Sequence, residues 1–333
     1  MSSENPKISV VIPVKNGAHW LDACIHGIMS QTLLSQTEII VIDSGSTDGS
    51  LELLKKYPVR IVSIAPEEFN HGLTRNYGAQ ISRGEFVVLT VQDAVAADNR
   101  WLQNLLEGFL AAENVAAVCG SQVVPHHPDK NPVDWFRPFG KEEKKVCRFA
   151  TANDFDALGA AEKKAVCGWD DVTSMYKRSV LIDLPFQKTS CSEDIIWARE
   201  ALRAGLTLVY NPAAKVHHYH YGDREFAFRR TLTVMHTRYK QFGFRYSRPT
   251  QNLRQVLSMI KTISFSEPLT LKQKWNWFRY NREQLRGEQK AYDIFTAALA
   301  ESEEKLDAVH EKFCGRPQMH QKAKQNDKKK QIV

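Results

Sequence analysis

The sequence has no apolar run long enough to span a membrane, and none of its six cysteines forms a CxxC pair. These absences argue against a transmembrane segment, a zinc knuckle and a disulfide framework, and they favour reduced thiols in the cytoplasm. The polar N-terminus runs straight into an apolar segment, which argues against a signal peptide. No nucleic-acid recognition motif and no internal repeat are present. We therefore expect a cytoplasmic protein that does not bind nucleic acid.

The composition is that of a globular protein with a substantial core. The 333 residues are 43% hydrophobic and 25% charged, values that fit one large domain or two smaller ones. The net charge is +7, and the segment from Arg316 to the end holds six basic residues against Asp327. This basic tail is either a solvated, disordered end or a segment attracted to an anionic membrane surface.

Apolar segments with the period of strands alternate with segments of helical period. This alternation predicts βαβ units and a mostly parallel sheet, and so the α/β class. Strands are predicted at 8–13, 38–43, 59–64, 85–91, 115–124, 172–178 and 207–210, and helices at 18–31, 51–55, 74–82, 99–112, 193–204 and 224–242.

The pattern also predicts the domain organisation. Residues 1–245 form the α/β domain, in which 125–170 is an irregular insertion or acceptor-side loop. Residues 246–315 form a helical extension, and 316–333 form the disordered tail. Trp275 and its aromatic neighbours lie among basic residues in the extension, which suits either a membrane interface or a packing and dimer contact.

The segment Glu68–Asp93 carries the first candidate site. A polar loop with His71 and Arg75 leads into a helix, and the strand that follows ends at Asp93. Loops at strand ends bind ligands in α/β sheets, and an arginine fork fits phosphate oxygens. The combination predicts a phosphorylated ligand and a metal ion. His71 either contacts the ligand or holds the loop in place.

Asp43 ends the second predicted strand, directly before the turn SGSTDGS. Its carboxylate can accept hydrogen bonds from a base or ribose, or it can cap the turn. We favour ligand contact for Asp43, and capping for Ser46 and Asp48.

A metal site is predicted at Asp93. An isolated aspartate at a strand end is more often a turn former, but three histidines, His217, His218 and His220, lie within four residues and could supply a further ligand. Magnesium takes carboxylates and substrate phosphates, whereas manganese tolerates a mixture of carboxylate and imidazole.

Glu193 and Asp194 open a predicted helix. Acidic residues suit a helix N-terminus, and a carboxylate can also take a proton from an attacking hydroxyl. The residues alone leave both interpretations open.

Taken together, these motifs resemble the family 2 glycosyltransferases, which are inverting enzymes of the GT-A fold. The resemblance rests on ISVVIPVKNG, VIDSGSTDGS, the Arg-Asn-containing helix, the strand-end aspartate, the Glu-Asp pair and the later histidines, and it covers about residues 7–245. The sub-pattern EFNHGLTRN with QDA resembles the bacterial rhamnosyltransferase branch, whose usual donor is dTDP-rhamnose.

The resemblance implies a role for each candidate residue. It implies that nucleotide-sugar contacts come from Pro13, Val14, Asn16, Asp43, His71, Arg75 and Gln92, with Arg75 near the diphosphate. Asp93 matches the second aspartate of the DxD motif and would hold Mg²⁺ or Mn²⁺ with His218 or His220. Asp194 matches the catalytic base, and Glu193 is its acidic neighbour.

One position departs from the family pattern, because Val91 replaces the first aspartate of DxD. This implies weaker binding of the metal by the protein, and the ion could arrive with the donor diphosphate.

The resemblance implies transfer of a sugar to a hydroxyl of an envelope glycan or lipid-linked acceptor at the inner face of the membrane. Alternatives are a UDP-sugar donor such as UDP-GlcNAc or UDP-Gal, and a nucleotide-sugar-binding protein without activity. A sugar-phosphate nucleotidyltransferase fits poorly, since VKNGAHW lacks the expected Gly-rich basic loop.

Overall fold

The structure is a computed structural model that describes residues 6–135, 142–189, 191–267 and 269–315. The predicted tail, 316–333, lies outside the described residues. The chain forms two compact units, Met1–Tyr221 with Leu253–Phe278, and Gly222–Asn252 with Arg279–Val333. The predicted limits of the α/β domain and of the extension stay a prediction.

The first unit contains a mixed sheet of nine strands within the described residues, in the order β3-β2-β1-β4-β8-β6-β9-β5, with β7 also paired to β9. The strands are β1 Ile8–Val14, β2 Thr37–Asp43, β3 Arg60–Ser63, β4 Phe86–Thr90, β5 Val95–Ala96, β6 Val115–Val123, β7 Lys145–Cys147, β8 Thr173–Lys177 and β9 Thr207–His217. Strands β1 to β4, β6 and β9 run in one direction, and β5, β7 and β8 run against them. The predicted α/β class with a mostly parallel sheet is confirmed.

The helices are α1 Ala18–Met29, α2 Ser50–Leu54, α3 His71–Ile81, α4 Trp101–Gly108, α5 Pro132–Trp135, α6 Ala152–Asp156, α7 Ala160–Val166, α8 Arg178–Asp183, α9 Glu193–Arg203, α10 Arg224–Phe242, α11 Leu253–Ser264, α12 Leu271–Glu301 and α13 Glu303–Cys314. Helix α9 ends before Gly205, whose φ of 76° is left-handed, as the sequence predicts.

Several predicted boundaries are wrong. The helix predicted at 74–82 begins at His71, because the Asn70 side chain accepts a hydrogen bond from Leu73 N at 3.1 Å and caps it. The last predicted strand, 207–210, continues to His217 as β9. The segment 125–170, predicted as irregular, contains α5, β7, α6 and α7 among its described residues.

The sheet is buried on both faces, which explains the continuous apolar runs in the sequence. One face of β1, with Ile8, Val10 and Ile12, packs with the apolar sides of α1 and α4. On the other face Val11 lies under α3, where a Cβ at Gly78 would come within 2.4 Å of the Val11 side chain. Gly78 therefore lets α3 approach β1 closely.

The second unit is helical. Its core is formed by α10, α12 and α13 through the buried residues Phe228, Leu232, Met235, Ala291, Phe295, Ala298 and Leu306. Among all described residues, none of the helices is both long and apolar enough to cross a membrane.

Candidate active site

Strand β1 lies between β2 and β4 in the sheet, so the strand order reverses between β1 and β4. The carboxyl ends of β1 and β4 lie side by side at this point. Gln92 joins the two ends: its Oε1 accepts from Lys15 N at 2.9 Å and its Nε2 donates to Lys15 O at 3.2 Å. Such switch points are the usual ligand sites of α/β sheets. Gln92 is buried and holds this crevice together, and its contact with a nucleotide sugar stays a prediction.

Asp43 shapes the turn that follows β2. Its carboxylate accepts hydrogen bonds from Gly45 N at 2.9 Å and Ser46 N at 3.1 Å, and its side chain is buried. Gly45 has a φ of 82°, a left-handed conformation that glycine adopts readily. The structure therefore gives Asp43 the capping geometry that we ranked second. Its predicted contact with a nucleoside remains to be tested.

The segment after β1 is tied to the same turn. Asn16, at a φ of 51°, accepts from Thr47 N at 2.8 Å and donates its own N–H to Ser46 Oγ at 2.8 Å. Pro13 is half-buried and Val14 is buried at the end of the strand. These contacts bring the predicted nucleoside elements, Pro13–Asn16 and Asp43, into one crevice.

Lys15 lies within the segment that the resemblance assigns to nucleoside binding, but the sequence reasoning gave its side chain no role. Its ammonium donates to Ser44 O at 2.6 Å and to Gly45 O at 2.8 Å. The turn thereby carries a fixed positive charge beside the crevice. The sequence could have indicated this role, because Lys15 is a basic residue directly after the first strand.

Asp93, His218 and His220 come together as a candidate metal centre. Asp93 Oδ1 lies 3.6 Å from His218 Nε2, and Asp93 Oδ2 lies 3.6 Å from His220 Nε2. One ligand atom from each residue lies within 4.8 Å of the other two. His217 belongs to β9, where it pairs with Val95, and is not part of this cluster. The cluster follows from topology, since β9 ends beside the chain that leaves β4.

The electrostatic setting keeps Asp93 ionised. Burial by itself would raise the pKa of Asp93, but the hydrogen bond from His218 and the charges of His218 and His220 outweigh it and lower that pKa. An anionic carboxylate and two imidazole nitrogens form a donor set that suits a divalent cation of the manganese type.

Gln122, at the end of β6, orients one of these imidazoles. Its Oε1 lies 2.6 Å from His218 Nδ1, and its Nε2 donates to Asp170 Oδ2. An ionised carboxylate only accepts, so the amide nitrogen faces Asp170 and the amide oxygen faces His218. Nδ1 then carries a proton, and Nε2 is the nitrogen that faces Asp93. Loss of the proton on Nε2 would leave the tautomer that binds a metal through Nε2.

A second, acidic cluster surrounds the start of α9. Arg75 is buried, with Nη1 at 2.5 Å from Glu193 Oε1 and Nε at 3.6 Å from Asp171 Oδ2. Asp171 also accepts a hydrogen bond from the hydroxyl of Tyr176. The loop position predicted for His71 is wrong, because α3 begins at His71, whereas Arg75 lies within the helix that was predicted at 74–82. The side chain of Arg75 is engaged with acids, and its predicted diphosphate contact remains untested.

The environment of Asp194 favours its protonated form. Burial, followed by the negative charges of Glu193, Asp171 and Asp170, raises the pKa of Asp194 well above its usual range. The pKa of Asp171 is likewise raised by burial, to about 7. A carboxylate with a raised pKa is a stronger base once it is ionised, so the ionised form of Asp194 is suited to accepting a proton.

The two clusters are linked through residues that the sequence reasoning missed. His218 bonds to Gln122, Gln122 bonds to Asp170, and the charge of Asp170 acts on Asp194. Asp170 and Asp171 lie just before β8, separated from it by Val172, and β8 lies between β4 and β6 in the sheet. The sequence feature that could have indicated them is the pair of adjacent acids before a predicted strand.

His71 is exposed at the start of α3 and packs against Phe69.

The fold and the site together define a glycosyltransferase of the GT-A type, and the comparisons with known proteins agree. The sequence model of glycosyl transferase family 2 matches residues 9–167. The chain is 34% identical over 221 residues to the O-antigen chain rhamnosyltransferase WbaN of Salmonella anatum, which covers 65% of this chain and 67% of that protein.

A second relative is the O-antigen chain rhamnosyltransferase RfbN of Salmonella typhimurium, 32% identical over 225 residues, covering 66% of this chain and 68% of that protein. The solved mannosyltransferase PcManGT from Pyrobaculum calidifontis has a similar fold, with a TM-score of 0.52 at 18% identity over 92% of this chain and 78% of that chain. The chain belongs to the family 2 glycosyltransferases, and its resemblance to the rhamnosyltransferase branch is confirmed.

Proposed function

We propose that the protein is an inverting rhamnosyltransferase. It moves rhamnose from dTDP-rhamnose to a hydroxyl of a cell-envelope glycan or glycolipid. The observation that carries the proposal is the link from the Asp93 cluster to Asp194 through Gln122 and Asp170. The similarity to two O-antigen chain rhamnosyltransferases supports the choice of donor sugar.

Asp194 is the general base of the proposed reaction. It accepts the proton of the acceptor hydroxyl while that oxygen attacks the anomeric carbon from the face opposite the diphosphate. The bond from the anomeric carbon to the diphosphate oxygen breaks, so a single displacement inverts the anomeric centre. Glu193 stays paired with Arg75 and keeps negative charge beside Asp194, which raises the basicity of Asp194.

Asp93, His218 and His220 fit a Mg²⁺ or Mn²⁺ ion that accompanies the donor. A divalent cation bound there supplies Lewis-acid neutralisation of the charge that develops on the leaving diphosphate. Val91 offers no ligand oxygen in its side chain, so the protein contributes one carboxylate at this position. The Pyrobaculum mannosyltransferase was solved with GDP-mannose and Mn²⁺, which supports the proposal of a divalent cation at this cluster.

The nucleotide part of the donor occupies the crevice between the ends of β1 and β4. Pro13, Val14, Asn16 and Asp43 contact the nucleoside, and Gln92 and His71 contribute at the crevice rim. Arg75 acts near the diphosphate while it stays paired with Glu193. Residues 1–245 form the catalytic domain, and residues 246–315 a helical extension.

The protein works in the cytoplasm at the inner face of the membrane, where lipid-linked acceptors are found. This location is part of the proposal. The basic tail, 316–333, adds attraction to an anionic surface through its sequence charge.

A donor screen tests the proposed function. Thermal unfolding is measured with dTDP-rhamnose, UDP-GlcNAc, UDP-Gal and GDP-mannose, with and without Mg²⁺ or Mn²⁺. A donor at about 100 times its Kd stabilises the folded state by about 2.7 kcal/mol. We expect dTDP-rhamnose with a divalent ion to give the largest shift, and NMR of the transfer product to show the inverted anomer.

Three other results would contradict parts of the proposal. A larger shift with a UDP-sugar assigns another donor. Donor binding without transfer or hydrolysis, under conditions in which a known rhamnosyltransferase works, identifies a nucleotide-sugar-binding protein. A product of retained configuration excludes the single displacement.

A further inference from the structure

The segment Leu253–Phe278 exposes apolar surface for which the proposed catalytic function gives no role. Six of the thirteen exposed large apolar side chains in the described residues lie within it: Leu253, Leu257, Ile260, Phe265, Leu271 and Trp275. Phe265 is 77% exposed and Leu271 is 86% exposed. Clustered apolar exposure of this kind marks an interaction surface.

Helix α11 has two distinct apolar edges. Met259 and Ile263 are buried, and α11 packs against α5 within the first unit. Leu253, Leu257 and Ile260 follow the i, i+4, i+7 spacing of one helical face and are exposed. The helix is therefore packed along one edge while a second apolar stripe is left facing away from the protein.

The first turns of α12 also expose apolar side chains. Leu271 and Trp275 are four residues apart, so they share a face, and Trp275 stacks on Phe278 with the ring centres 5.7 Å apart. Lys274 Nζ donates to Ser264 O at 2.6 Å and so ties the start of α12 to the end of α11. Tryptophan is enriched where proteins meet the boundary between lipid and water.

The net positive charge of the segment Leu253–Phe278 indicates which kind of partner it binds. It carries Arg254, Lys261, Lys272 and Lys274 against one acid, Glu267. On α11, Arg254 and Lys261 are seven residues apart and follow Leu253 and Ile260 directly, so they flank the apolar stripe. Basic residues beside an apolar stripe suit anionic lipid headgroups, whereas the cores of protein interfaces are depleted of lysine.

We propose that the exposed stripe of α11, with Phe265, Leu271 and Trp275, docks the protein on an anionic membrane surface. The apolar side chains enter the boundary between headgroups and acyl chains, and Arg254, Lys261 and Lys272 contact lipid phosphates. This surface specifies the membrane contact of the proposed function, but its existence does not depend on the donor or on the chemistry.

Vesicle flotation of the full chain tests the docking surface. The probes are phosphatidylglycerol-containing vesicles and pure phosphatidylcholine vesicles. We compare the wild type with Leu257→Asp and with Phe265→Asp, both at exposed positions. The matched control is Leu110→Asp, because Leu110 is 85% exposed but lies outside the segment. A fourth variant, with Lys328, Lys329 and Lys330 replaced by glutamine, isolates the contribution of the tail.

We expect the wild type and Leu110→Asp to float with anionic vesicles, and at least a tenfold loss of the bound fraction for Leu257→Asp and Phe265→Asp. The thermal shift with donor should stay at the wild-type value in every variant, so that failure of docking is distinguished from failure of the proposed function.

Each of three results would overturn the proposal. The first is a wild type that stays unbound to anionic vesicles. The second is flotation that is lost in the tail variant but kept in Leu257→Asp. The third is a concentration-dependent dimer that Leu257→Asp dissociates while flotation is unchanged, because the stripe would then be covered by a second copy of the chain.

Discussion

Asp93 and Asp194 are the same residue type in opposite electrostatic settings. Asp93 faces two imidazoles, and their hydrogen bond and charge outweigh its burial and lower its pKa. Asp194 shares its surroundings with Glu193, Asp171 and Asp170, and burial together with these acids raises its pKa. One carboxyl is thereby kept as an anion, and the other becomes a group that can take up a proton.

The difference shows how a single fold assigns two roles to one side chain. An anion beside imidazoles is suited to holding a cation, whereas a carboxyl among other acids is suited to base catalysis. The two settings are connected through Gln122 and Asp170. Substitutions that alter one setting and spare the other therefore test this division of roles.

The largest effect is expected from Asp194→Asn. An amide cannot accept the acceptor proton, so turnover should fall by about 10²–10⁴-fold, the usual contribution of a general base. Donor affinity should stay unchanged, because the Asp93 cluster is intact. Initial rates and calorimetric titration with donor measure the two quantities. Asp183→Asn, at an exposed aspartate of the same unit, is the control, and near-normal turnover of Asp194→Asn would refute the assignment of the base.

Arg75→Met tests the acidic side of the comparison. Removal of one partner from a buried ion pair leaves an uncompensated charge, so the free energy of unfolding should fall by about 3–5 kcal/mol. Urea unfolding measures the loss. The double variant Arg75→Met with Glu193→Gln should recover part of it. A large loss of donor affinity with unchanged stability would instead assign Arg75 primarily to the diphosphate.

Gln122→Met tests the imidazole side. Without the amide oxygen, His218 loses the partner that fixes its tautomer, and metal affinity should fall by about 10–100-fold. Turnover should recover at saturating Mn²⁺, unlike that of Asp194→Asn. Metal titration followed by thermal unfolding measures the affinity, with Gln80→Met on the exposed side of α3 as the control. Equal metal affinity in both variants would show that Gln122 does not orient the ligand.

The smallest expected effect is a shift of the pH profile. The base must be deprotonated to act, so kcat/KM should rise with pH through the raised pKa of Asp194. Asp171→Asn removes a neighbouring negative charge, which lowers that pKa and should move the rise to lower pH. A profile that overlies that of the wild type and of the Asp183→Asn control would contradict the proposed influence of Asp171.

Sequence reasoning succeeded where function follows from local order along the chain. The strand that ends at Asp43 and the strand that ends three residues before Asp93 are visible as apolar runs followed by an acid. The α/β class follows from the alternation of strand and helix patterns, and the rhamnosyltransferase branch from the motifs around Arg75. It failed at Asn70, whose capping role was overlooked, so His71 was placed in a loop and the helix was predicted to begin only at residue 74.

Contacts between residues that are distant in sequence could not be predicted from local sequence patterns. Arg75 and Glu193 are 118 residues apart, and Gln122 and His218 are 96 residues apart. Their pairing depends on β8 lying between β4 and β6, and on β9 running beside β6. No pattern within a window of the sequence carries that information.

The fold class, the family and the residue types from which a cation site and a base could be made follow from the amino-acid sequence, because periodicity and motif order are properties of the chain. Which of these carboxyl groups meets imidazoles and which meets other acids depends on the folded arrangement. The reason is physical: a pKa and a ligand set depend on burial and on the neighbours that folding brings within a few ångströms, and those neighbours come from strands far apart in the chain.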